Sequence, residues 1–180
     1  MNNSYDIGLV IRAVEFAAQK HRMQRRKDSD ASPYINHPIA LMHLLCIDGG
    51  ISDPLILAAA ALHDTIEDTE TTEEGLRTTF GEEIAEIIVE MTDDKSLPKE
   101  VRKRLQIERA HQMSREGALV KLADKICNLR DVAANPPLGW SLERQVEYFD
   151  WAKAVVDGLP RVSEILMVKF DAAYAARPRT

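Results

Sequence analysis

Apolar residues recur at helical spacing along most of the chain. The first instance is Ile7, Val10, Ile11, Val14 and Ala18, close to the period of about 3.6 that marks one face of a helix. This pattern predicts a helix over 7–20, then a polar loop from Arg22 to Pro33. A short helix is predicted from Pro38 to Ile47, with proline in its first turn and Gly49-Gly50 as its stop. Asp53-Pro54 reads as an N-cap followed by proline at the first helical position. The run from Leu55 to Leu62 is apolar on every face, so this helix belongs in the middle of a bundle, and it is expected to continue to Ile66 or beyond.

Thr71 and Glu74 form a capping-box pattern for a helix ending near Phe80-Gly81, and a further helix covers 82–91. A polar loop from Thr92 to Pro98 leads into a strongly charged helix over 99–113, and Gly117 reads as a break before 118–131. Asn135-Pro136-Pro137 ends that region, Ser141 caps a helix to about Asp157, and a last helix covers roughly 161–176. Strand alternation, repeats and linkers are absent from the pattern. The prediction is an all-α fold of about eight to ten helices, in a single domain over 1–180.

Composition narrows the class. With 180 residues, 45% hydrophobic and 29% charged, the chain has the apolar content for a core and is not disordered. Two cysteines, Cys46 and Cys127, cannot build a disulfide framework; they read as small core formers in a reducing, cytoplasmic setting. No apolar run nears the roughly 20 residues of a membrane span, and the first residues lack the basic start of a secretory signal. A net charge of −6 argues against nucleic acid as a partner. The charge is unevenly placed, however. Lys20, Arg22, Arg25, Arg26 and Lys27 crowd one short stretch. That stretch is either a solvated helix end or a receptor for a small polyanion.

Candidate chemistry centres on His63-Asp64 followed by Glu67-Asp68 at the end of the apolar helix. In a continuous helix, His63 would stack on Glu67 and Asp64 on Asp68. Carboxylates buried there need a positive partner, such as a divalent cation, unless the helix simply emerges into water. His37 stands alone at the start of another apolar helix. Asp124, flanked by Leu122, Ala123, Ile126 and Cys127, sits on an apolar face with Asn128 one turn on; its partner is either a metal or a lysine or arginine. Together His37, His63, Asp64 and Asp124 make a mixed imidazole and carboxylate set suited to manganese, iron(II) or zinc and too rich in nitrogen for calcium. Glu67 and Asp68 remain beside it to handle water.

The set His37, His63-Asp64 and Asp124 resembles the H…HD…D signature of HD-domain metal-dependent phosphohydrolases. The segments YINHP, ALHDTIEDT, FGEEIAEIIVEMTDDKSLPK and VKLADKICNLRD resemble the (p)ppGpp hydrolase domain of the RelA/SpoT superfamily, above all its small stand-alone alarmone hydrolases. The likeness runs from about Phe16 to Trp151. It implies manganese held by His37, His63, Asp64 and Asp124, with Glu67 and Asp68 orienting and deprotonating water. It places Arg26, Lys27 and Asn128 near the nucleotide. A second basic set, Lys99, Arg102, Lys103 and Arg104, is a candidate 5′-phosphate contact, and Arg144 and Tyr148, which share a helix face, are further substrate-binding candidates. The implied reaction removes pyrophosphate from the 3′ position of ppGpp or pppGpp. The alternatives are a phosphohydrolase acting on another nucleotide, such as NADPH, and a non-catalytic nucleotide sensor. One departure stands out: Asp131 lies where long bifunctional relatives usually have threonine, beside the implied base pocket.

Overall fold

The computed structural model describes residues 7–179, in which ten α-helices account for the architecture. They are α1 (Ile7–Lys20), α2 (Asn36–His43), α3 (Pro54–Leu62), α4 (Thr65–Asp68), α5 (Glu73–Phe80), α6 (Glu82–Met91), α7 (Lys99–Arg109), α8 (Arg115–Ala134), α9 (Leu142–Gly158) and α10 (Glu164–Tyr174). The only pairing outside helices among the described residues is an isolated antiparallel bridge between Arg25 and Pro33. The all-α expectation therefore holds.

The apolar run from Leu55 to Leu62 does what its composition demands. Ile56 to Leu62 are all buried, and α3 packs against α1, α2, α6 and α8. Its alanines let these neighbours approach closely. Ala58, Ala61 and Leu62 face a cluster with Ala13, Ala17, Leu76, Ile84 and Ile88. Ile56, Ala59 and Ala60 face a second cluster that includes Leu41, Leu119, Leu122, Ile126, Phe149 and Phe170. Each fully buried large side chain contributes about 1.5–3 kcal/mol relative to exposure. Cys127 belongs to this second cluster, and burial pushes its thiol up to about 12, as suits an unreactive core residue.

Several boundaries differ from the pattern reading. The capping residue of α5 is Thr72, whose hydroxyl accepts from the Gly75 N–H at 3.1 Å, and not Thr71. Gly117 does not break a helix. Ser114 caps α8 by accepting from the Gly117 N–H at 3.0 Å, and the Glu90 carboxylate fills the space that a side chain at 117 would take. The charged helix over 99–113 stops at Arg109 and tightens into a 3₁₀ turn over Ala110–Gln112. After α2 the chain widens into a π-turn over Leu44–Asp48, closed by Gly49 N–H to the Leu44 carbonyl at 2.8 Å. The helix begun at Pro54 is interrupted: α3 ends at Leu62, and Asp64 takes a non-helical conformation (φ −102°, ψ 2°) before the single turn of α4. Thr65 helps cause this, because its hydroxyl takes the Leu62 carbonyl at 2.7 Å that a continuing helix would use.

Candidate active site

The break after α3 turns His63 and Asp64 toward the same place. His63 is 3% exposed, and its Nδ1 faces the Ala60 carbonyl at 2.9 Å. The carbonyl only accepts, so Nδ1 carries the proton and Nε2 presents a lone pair. That Nε2 lies 2.9 Å from an Asp64 oxygen and 3.9 Å from Asp124 Oδ1, and it has no hydrogen-bond donor of its own to meet. His37, in the first turn of α2, brings its Nε2 to 3.2 Å from the same Asp124 oxygen. Ligand atoms of His37, His63 and Asp124 all fall within 4.8 Å of one another.

An imidazole lone pair aimed at two carboxylates is repulsive unless a cation intervenes. In the metal-free protein that cation is a proton. Burial disfavours it, but Asp64 outweighs burial and pushes His63 up to about 8. His37 is different, for burial holds it below its ordinary value. Asp124 stays well below the carboxylate range despite burial, because Lys125 and His37 face it. The two imidazoles and Asp124, with an Asp64 oxygen beside the otherwise unpartnered His63 Nε2, fit a divalent transition metal.

Each carboxylate has outer partners. The Tyr34 hydroxyl donates to Asp64 Oδ2. Asn128 donates to Asp124 Oδ1 at 2.5 Å, and Lys125 donates to its Oδ2 at 3.2 Å. Glu67, on α4, accepts from the Asp93 N–H at 3.4 Å, with Arg102 at 3.9 Å. Burial, then Asp64 and Asp93, hold the Glu67 carboxyl above its usual range. Asp68 pairs with Lys95 and accepts from Gln24 Nε2 at 2.9 Å. Pattern reading did not find Tyr34, Gln24, Asp93, Lys95 or Lys125. Tyr34, Asp93, Lys95 and Lys125 did lie inside the quoted motifs, which was the one available signal; Gln24 lies outside them.

A cavity of about 850 Å³ opens over this cluster, and every predicted site residue lines it. Arg26, Lys27, Lys99 and Arg144 are on its wall with Tyr148 and Asn128. Arg26 reaches α8, donating to Asp131 at 2.5 Å and to Asn128 at 3.1 Å. Asn128 thus links Arg26 to Asp124. Arg144 lies over the Trp140 ring at 4.5 Å, and Tyr148 packs between Trp140 and Trp151. Of the second basic set, Arg102 and Lys103 also line the cavity, whereas Arg104 turns outward to Glu108.

The HD domain model matches residues 13–147, a span that contains His37, His63, Asp64 and Asp124. The chain belongs to the HD-domain family. Within this family it is similar to the guanosine-3′,5′-bis(diphosphate) 3′-pyrophosphohydrolase MESH1 of Xenopus tropicalis, at 51% identity over 93% of this chain and 94% of that one. The protein of the same name from Homo sapiens is 52% identical over 83% of this chain and 84% of its own. A solved structure of a metazoan ortholog of SpoT, one that hydrolyzes ppGpp and plays a role in starvation responses, superposes with a TM-score of 0.91. It is 45% identical, covering 94% of this chain and 95% of that one.

Proposed function

We propose that this protein hydrolyses the 3′-pyrophosphate of ppGpp and pppGpp, giving GDP or GTP and pyrophosphate. The observation that carries the proposal is one cavity lined both by a buried imidazole–carboxylate cluster and by the cations Arg26, Lys27, Lys99 and Arg144. A compound with several phosphates suits those cations, and the names of the relatives agree. His37, His63, Asp64 and Asp124 would hold manganese. When bound, it supplies Lewis acidity and lowers the pKa of coordinated water.

The protein's own groups do the rest. Glu67, held above the usual carboxylate range by burial and then by neighbouring acids, is a stronger proton acceptor than a free glutamate and takes a proton from the attacking water. Asp68, fixed by Gln24 and Lys95, orients that water. The water oxygen bonds to the phosphorus next to the ribose 3′ oxygen. The bond from that phosphorus to the 3′ oxygen breaks; the oxygen takes up a proton from solvent and leaves as the ribose 3′ hydroxyl, and Glu67 releases the proton it accepted back to solvent. Phosphoryl transfer of this kind depends on positioning and electrostatics more than on covalent chemistry. Lys27 is a point charge on phosphate, whereas Arg26 presents a planar guanidinium beside the Tyr34 ring, 5.7 Å from its centroid.

The residues act within one domain. Among the described residues no helix is long and apolar enough to cross a membrane. Free Cys46 and Cys127 are in keeping with a cytoplasmic setting. The experiment is a kinetic panel of ppGpp, GTP and NADPH, with manganese and with chelator. Manganese-dependent cleavage with ppGpp preferred is the expected result; preference for NADPH or GTP would replace the substrate assignment.

A further inference from the structure

We propose that His21 and Gln24 form a buttress that positions Asp68 for the reaction, a role no motif assigns them. The inference rests on the reading of Asp68 above. His21 opens the turn after α1 and is 2% exposed. Its Nδ1 lies 2.6 Å from Gln24 Oε1, and Gln24 Nε2 lies 2.9 Å from Asp68 Oδ2. The polarity of this chain follows from its acidic end. An ionised carboxylate only accepts, so the amide must present Nε2 to Asp68 and Oε1 to His21. The Oε1 only accepts, so His21 must carry its proton on Nδ1.

The backbone makes the same residue an anchor. Gln24 N–H donates to the His21 carbonyl at 2.9 Å, and its own carbonyl accepts from Tyr34 N–H at 3.2 Å. The His21 ring also stacks on Tyr34, with centroids 4.7 Å apart, and the Tyr34 hydroxyl donates to Asp64. One buried histidine therefore backs both Asp68, through an amide, and Asp64, through a phenol. The need is local. Asp68 is the last residue of a one-turn helix, and its other side-chain partner among the described residues is Lys95, a flexible side chain that is 48% exposed. Helix geometry alone does not fix such a carboxylate.

His21 and Gln24 are positioning residues. Gln24→Met keeps the length of the side chain and removes both hydrogen bonds. Outer partners of this kind typically contribute about 10- to 100-fold. The expected result is a fall in kcat of that size, with KM and bound manganese unchanged. In an Asp68→Asn background, Gln24→Met should have no further effect, since it acts through Asp68. His21→Asn retains a donor near Nδ1 and should restore much of the rate, whereas His21→Phe retains the ring and should not. Imidazole ¹⁵N NMR of the metal-free wild type gives a readout independent of turnover: Nδ1 of His21 carries the proton.

Normal kcat in Gln24→Met alongside a crippled Asp68→Asn would overturn the buttress and leave the role of Asp68 intact. Normal kcat in Asp68→Asn itself would instead remove the reading on which it rests. A rise in KM alone, a loss of metal, an additive loss in the double variant or a proton on Nε2 would each also overturn it.

Discussion

Replacing Glu67 with glutamine should sharply lower turnover and make the metal-free protein more stable at neutral pH. A residue kept for chemistry and not for folding has this signature. The Glu67 side chain is 22% exposed, and burial, Asp64, Asp93 and Asp68 all raise its pKa above the ordinary 4.5. A carboxyl whose pKa is raised by folding is fully accommodated below 4.5, where it is protonated in both states. Stability is lost as pH rises from 4.5 through the raised value, because the folded state then resists ionisation. Each unit of displacement corresponds to about 1.4 kcal/mol, or about 3–6 °C in Tm for a domain of this size. The counter-effect is small. Arg102 at 3.9 Å and Lys95 at 4.0 Å are long, partly exposed pairs, each worth about 0–1 kcal/mol. Glutamine also still accepts from the Asp93 N–H. The assay is thermal unfolding in chelator from pH 4 to 8, beside turnover with manganese. Glu67→Gln should gain Tm at pH 7, lose that gain on approaching pH 4, and lose about 10²–10⁴ in rate. A lower Tm at pH 7, or wild-type turnover, would refute the reasoning.

The remaining expectations concern the metal cluster and the cationic wall. Asp124→Ala and Asp64→Ala should each strip the metal and abolish turnover, as read by elemental analysis; full occupancy in both would remove these residues from the ligand set. Lys27→Ala should keep its metal and raise KM for ppGpp by about 10- to 150-fold, the value of one charge-assisted contact. Arg26→Ala should cost both substrate affinity and the tie to Asn128 and Asp131, so its KM effect should exceed that of Asp131→Asn, which frees Arg26 but keeps its charge.

Local signals made much of the architecture legible. Proline at the start of α3, serine before α9, and the unbroken apolar run of α3 each report a short-range preference, and the structure agrees with them. The ligand types and their motifs were equally visible, because a buried acid among leucines and alanines stands out. What stayed hidden depends on contacts distant in sequence or on competition within a turn. Gln24 meets Asp68 across 44 positions and Arg26 meets Asp131 across 105, and periodicity carries no information on such pairs. The interruption at His63-Asp64 is accompanied by a threonine hydroxyl taking a backbone carbonyl, an outcome that helix propensity leaves open. Gly117 was misread because glycine breaks an exposed helix, whereas here the Glu90 carboxylate occupies the space left by its missing side chain.

The central claim is that one metal-dependent event cleaves the 3′ phosphoester. Product analysis by ³¹P NMR tests it most directly: chelated protein is mixed with ppGpp, and manganese is then added. The account predicts no reaction before manganese, and afterwards GDP and pyrophosphate in equal amounts. Orthophosphate as the product, loss of the 5′ phosphates, or full turnover in chelator would contradict it.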